Sequence, residues 1–206
     1  MRQLELFAED VRRLAGVGPE EIVDAAELAL RLIGPESIGI YDRLPSGARL
    51  RRGAKGYEIQ LRDGLPDINF ACAHELAHWA LREIARYSGP DEERLANYVG
   101  AALLSPRALV RAGAIFYGRK LEAVEPLAEA TWMSRTAANL RLGEVIGDGR
   151  VVVTKSGNVL RSSEASFARP DRDIRADARA AHETPGVARA HLRGGIDDGR
   201  VALRER

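Results

Sequence analysis

Apolar residues in the first 34 positions recur at helical spacing. Ile22, Val23, Ala26, Leu30 and Ile33 form one stripe, and Gly34-Pro35 closes it. Gly18-Pro19-Glu20-Glu21 predicts the start of that helix, because proline and acids suit a first turn. The pattern then switches to short extended pieces at Ile38–Tyr41, Ala48–Arg51 and Tyr57–Leu61, with Pro45-Ser46-Gly47 and Gly53-Ala54-Lys55-Gly56 as turns between them. A helix follows from Pro66-Asp67 to about Arg86, apolar nearly all round at Phe70, Ala71, Ala73, Leu76, Ala77, Trp79, Ala80 and Leu81. Such a helix is expected to be buried. Ser88-Gly89-Pro90-Asp91 breaks it, and a second helix spans about Glu92 to Leu104. Ser105-Pro106 starts a third, short one. Leu121–Ile146 predicts two helices turning near Trp132–Ser134, with Ser134 as N-cap. Gly149–Arg161 reads as a hairpin around Ser156-Gly157-Asn158. From Ser163 onward large apolar residues are scarce until Val201-Ala202-Leu203, so partial order is expected, with a helix across Asp173–Ala181. The elements together predict an α+β chain.

Composition narrows the function classes. The 206 residues are 45% hydrophobic and 30% charged, an ordinary balance for a globule with a real core. Thirty-one basic side chains face 30 acidic ones, so the whole chain carries no nucleic-acid footprint. One cysteine excludes an intrachain disulfide and fits a reducing compartment. Arg2, Glu5, Glu9 and Asp10 interrupt the N-terminus where a signal peptide needs an apolar core, and no run is apolar enough to span a bilayer. A cytoplasmic protein is expected.

The chemistry concentrates in His74-Glu75-Leu76-Ala77-His78. Residues four apart share one helix face, so two imidazoles can reach one metal ion from the same side. Glu75 is rotated about 100° from His74, where it can hold and deprotonate a metal-bound water. The arrangement predicts zinc, with His74 and His78 as ligands and Glu75 as general base. The alternative is a surface helix with two histidines and a salt-bridging glutamate. The apolar flanks argue against it, because buried imidazoles and carboxylates are costly unless paired or metal-bound.

A third ligand is needed. Asp91, Glu92, Glu93, His182 and His191 are the candidates. Glu93 is preferred, because Asn97 lies one turn along the same face and could accept the outer N–H of a ligand histidine. Small Ala96 lets the two helices approach. Acids at a helix start are favoured by the dipole in any case, and Glu92 is the next choice. Cys72 is read as a small buried hydrophobe and the two tryptophans as core. His182 and His191 are read as solvated surface residues, and Tyr98 keeps no assigned role. Tyr57-Glu58-Ile59-Gln60-Leu61 is a candidate sheet edge for holding an extended substrate at Tyr57 and Ile59, against the equal alternative of a half-buried strand.

Phe70-Ala71-Cys72-Ala73-His74-Glu75-Leu76-Ala77-His78 resembles the motif helix of the ImmA/IrrE metallopeptidases. The block from Glu93 through Ala96-Asn97 to Leu103-Leu104-Ser105-Pro106 resembles that family's second block. Leu127-Ala128-Glu129 and Ser134–Ala138 resemble the helical segment that follows, so the likeness covers roughly 35–146. Val99-Gly100 stands where phenylalanine-alanine is usual, and Ser105 where methionine is usual. The resemblance implies a zincin-like core at 1–112, a helix-turn-helix-like segment at 113–148 and a C-terminal hairpin and tail at 149–206. It implies a Zn²⁺ endopeptidase cleaving a helix-turn-helix repressor of a mobile element or stress response. The alternative is a regulator that binds a repressor or DNA without cutting and holds a structural zinc. Arg135 and Arg141 on the second helix of the 121–146 pair are its DNA-binding candidates, although net charge gives them no help.

Overall fold

Ile59 is fully buried at the middle of a three-stranded sheet, and the first part of the chain is organised around it. The computed structural model describes residues 2–117, 123–147, 150–153, 159–161, 196–197 and 200–204. By internal contacts the chain forms two units. One comprises Met1–Leu109 with Glu129–Met133, the other Val110–Ala128 with Ser134–Arg206.

The first unit opens with α1 (Arg2–Leu14) and α2 (Ala25–Leu32), then β1 (Ile38–Tyr41), β2 (Ala48–Gly53) and β3 (Gly56–Arg62). The sheet order is β1-β3-β2, with β1 parallel and β2 antiparallel to β3. Two helices follow, α3 (Ile68–Glu83) and α4 (Glu92–Leu104), and α4 packs along α3. Gly100 permits that packing. A Cβ there would sit 3.1 Å from the backbone of Ala73 and the Cα of His74, so the missing side chain sets the helix spacing at the motif. Ala96 faces the same core, fully buried.

Two expectations for this unit are corrected. The helix predicted from Gly18 onward starts instead at Ala25, with Asp24 as N-cap accepting from the Glu27 N–H at 2.6 Å. The 18–21 segment stays out of the helix while its carbonyls serve another group. The buried Arg12 guanidinium donates to the Gly18 and Glu21 carbonyls and, across 91 residues, to that of Leu103. The buried face of α2 shifts accordingly to Ala25, Leu28 and Ala29, and Leu30 is left exposed. The second concerns Tyr57–Leu61, weighed equally as a sheet edge or a half-buried strand, of which the edge reading is the one corrected. β3 is the central strand, with Ile59 paired to Ile38 on one side and Leu50 on the other. The edges are β1 and β2.

In the second unit, Val110 and Ala114 of α5 (Arg107–Phe116), Leu127 of α6 (Val124–Thr131) and Leu142 of α7 (Arg135–Ile146) belong to one apolar cluster. The Ser134 side chain caps α7, accepting from the Ala137 N–H, and Gly147 ends it at φ +75°. β4 (Arg150–Val153) pairs antiparallel with β5 (Val159–Arg161), as the hairpin pattern predicts. The expected turn at 156–158 lies outside the described residues, as do the 173–181 helix, His182 and His191. Partial order was expected from Ser163 onward, and most of that stretch lies outside the described residues. Its described parts are β6 (Ile196–Asp197) and β7 (Arg200–Arg204), giving the order β5-β4-β7-β6. Val151–Val153 pairs with Val201–Leu203. A pairing this distant along the chain leaves no local signature. Among the described residues no single helix is long and apolar enough to cross a membrane.

Candidate metal centre

Helix α3 buries Cys72, Ala73, Leu76, Ala77, His78, Ala80 and Leu81, in keeping with its apolar flanks. His74 and His78 stack one turn apart, and their Nε2 atoms lie 3.1 Å from each other. Glu93, in the first turn of α4, completes the set. Its two carboxylate oxygens lie 3.4 Å from His74 Nε2 and 3.3 Å from His78 Nε2. The three ligand atoms fall within 4.8 Å of one another, close enough to share one ion.

The surroundings fix how each imidazole presents itself. His78 Nδ1 sits 2.6 Å from Glu92 Oε1, and Arg82 Nε donates to the same oxygen at 2.7 Å. Burial pushes the Glu92 pKa up, but the hydrogen bonds from His78 and Arg82 outweigh it and hold the carboxyl below its ordinary value. An ionised Glu92 is an acceptor only, so His78 donates to it from Nδ1 and presents Nε2 toward His74. Burial, followed by the neighbouring His78, lowers the His74 pKa, so that ring is neutral at pH 7. Facing ring nitrogens 3.1 Å apart, beside a carboxylate, suit a shared cation. The donor set therefore fits a metal of the imidazole- and carboxylate-binding class.

Glu92, weighed in the sequence as a substitute ligand, is instead the outer partner of His78. The sequence assigned that kind of role to Asn97. Asn97 interacts with His74 and favours its protonated form. His74 Nδ1 nevertheless stays buried without a partner in good hydrogen-bond geometry. Arg82 went unnoticed in the sequence, although it lies one turn beyond His78 on the same helix face and its position signalled a partner.

Glu75 lies beside the histidines with its carboxylate engaged. Its Oε2 accepts the Leu50 N–H of β2 at 2.6 Å, which ties that edge strand to α3. Tyr57 ties the sheet to the same helix, donating from its hydroxyl to Glu83 Oε1 at 2.7 Å. Ile59 is core. Tyr98 is buried, with its hydroxyl on Glu5 Oε1. Cys72 is buried as well, and burial, then the charges of Asp24 and Glu75, push its thiol up to about 12. The α7 arginines weighed as DNA contacts in the alternative reading differ in exposure. Arg141 is fully buried and Arg135 is paired with Glu125 at 2.5 Å.

No family model matches the chain, and no curated protein is similar to it at a significant level. Solved structures do match. One, described as a Mycobacterium tuberculosis transcriptional regulator, superposes with a TM-score of 0.56 at 19% identity, over 79% of this chain. The matched region is 55% of that protein, so the chain spans about half its length. At this identity the likeness is one of fold. It nonetheless overturns the expectation of a repressor-cleaving endopeptidase, because the solved protein that shares the fold is described as a regulator and not as a peptidase.

Proposed function

We propose that this protein is a transcription regulator that works by binding a partner protein, a helix-turn-helix repressor, without cutting it. The fold shared with a transcriptional regulator carries this reading. Complete burial of Arg141 takes one of the two basic side chains a DNA reading would use out of reach, which favours a protein partner. His74, His78 and Glu93 hold a structural Zn²⁺ in a zincin-like pairing of α3 and α4, as the ImmA/IrrE-like motif blocks imply. The ion supplies a cross-link between the two helices. Glu92 and Arg82 orient His78 for it, and Gly100 holds α4 at the required distance.

Titration calorimetry of zinc-loaded and chelator-stripped protein against candidate helix-turn-helix repressors tests the proposal, with mass spectrometry of the mixture afterwards. Zinc-dependent binding to an intact repressor is expected. Equal binding by the stripped protein, or a repressor recovered in fragments, overturns it. So does an affinity for one DNA duplex well above that for random duplex when no repressor binds.

A further inference from the structure

A second site lies on the other side of α3. Cys72 is two residues from His74, about 200° around the helix axis. It faces a cavity of about 510 Å³ lined by Ile38, Ile40 and Leu61 from the sheet, the start of α3 and the Trp132-Met133 turn. The volume falls within the roughly 300–1,000 Å³ typical of small-molecule sites. We infer that this cavity binds a small amphipathic molecule with an apolar body and a single cationic head, such as an aryl-alkyl amine.

The apolar half of the inference comes from the walls and the rim. Isoleucines and leucines line the interior, while Ile40, Ile68 and Trp132 stand at the opening with 55%, 39% and 56% of their surface exposed. Large apolar groups gathered around one opening mark a place where something apolar is received. The rim is also held in an unusual backbone state. Among the described residues three non-glycine positions have positive φ, and two of them, Asp67 at +59° and Trp132 at +49°, line this cavity. Such conformations are costly and concentrate where a structure presents groups to a ligand.

The charge of the ligand follows from the polar lining, which consists of Asp24, Asp67 and Asn69. Asn69 is committed at both ends. Its Oδ1 accepts the Ala25 N–H and its Nδ2 donates to the Thr131 carbonyl. Asp24 gives one oxygen to the α2 cap, and Asp67 makes no capping bond to α3. Asp24 and Asp67 are thus the acidic residues of the lining, and it includes no lysine or arginine. A carboxylate or phosphate ligand would meet like charge, whereas an ammonium group would find two acceptors. The site stands on its own residues and does not depend on the metal triad.

The test uses the full chain and three matched probes, 4-phenylbutylamine, 4-phenylbutanol and 4-phenylbutyrate. Binding is read by Trp132 emission and independently by thermal shift. A charge-assisted contact favours the amine by about tenfold or more over the alcohol. The amine is expected to blue-shift Trp132 saturably and to bind well above the acid. Trp132→Phe should remove the optical signal and keep the thermal shift. Asp24→Asn with Asp67→Asn removes both charges and is built to fold, since asparagine caps helices as well as aspartate does and tolerates positive φ. In that variant amine and alcohol should bind alike. Equal binding of all three probes to the native chain overturns the inference. So does a preference that survives the double variant, or the lack of any saturable response.

Discussion

The two faces of α3 solve different problems with the same helix. On one, His74 and His78 meet Glu93, Glu92 and Arg82 at distances set by charge and hydrogen bonding. On the other, Ile68 and Cys72 border open apolar space. The polar face is specified by pairs, so each group has a partner whose removal can be measured. The apolar face is specified by what fails to fill it. The comparison teaches that a motif reports the face it occupies and is silent about the opposite one.

The comparison breaks most sharply if the proposed Zn²⁺ is removed. Zinc at about a thousand times its Kd stabilises a site by about 4 kcal/mol. Chelation of the loaded protein should therefore lower Tm by roughly 8–16 °C for a protein of this size. His78→Ala should abolish that difference and bring metal content close to zero by elemental analysis, while the apolar face keeps its probe binding. Glu75→Ala tests a group between the two faces. Loss of a carboxylate acceptor for the Leu50 N–H should cost about 1.5–3 kcal/mol in denaturant unfolding, with zinc still bound. Glu92→Gln should weaken zinc affinity roughly 10- to 100-fold, the usual effect of losing an outer partner, as read by chelator competition. Gly100→Ala should cost about 1–3 kcal/mol by forcing the α3 and α4 backbones apart, and lower zinc affinity with it.

The smallest effects sharpen the contrast through pH and reactivity. In metal-free protein, burial holds the His74 pKa below the ordinary 6.5. The unfolded chain then takes up this proton first. The His74 contribution to stability should be complete above about pH 6.5 and be lost as pH falls through the lower folded value, as measured by urea unfolding from pH 8 to 5. Cys72, with its thiol up at about 12, should resist alkylation at pH 8 in folded protein and react once unfolded.

Much of the first unit was legible because its signals are local. The three strands, the motif helix and α4 each announce themselves by periodicity and by flanking glycine or proline, and the H-E-x-x-H spacing brings His74 and His78 together on any helix. What escaped was non-local. The start of α2 depends on Arg12, whose claim on the Gly18 and Glu21 carbonyls no window around residue 20 reveals. The place of β3 depends on a parallel partner, β1, whose own residues look the same at an edge or a centre. Glu92 and Glu93 are neighbours with opposite duties, separated only by which way each leaves the helix start. Arg141 looked like an exposed helix charge but is fully buried, whereas Arg135 is exposed and paired with Glu125.

Arg12 also bears on how far the chain can be shortened. One guanidinium, with its pKa lowered to about 10 by burial and so still charged at neutral pH, gathers carbonyl oxygens from the last turn of α4 and from the loop before α2. Trimming the leader helix away would strip three acceptors of their shared donor at once. The remaining fragment would expose the apolar seam beneath the second motif helix to water, so the opening thirteen-residue helix belongs to the minimal folding piece.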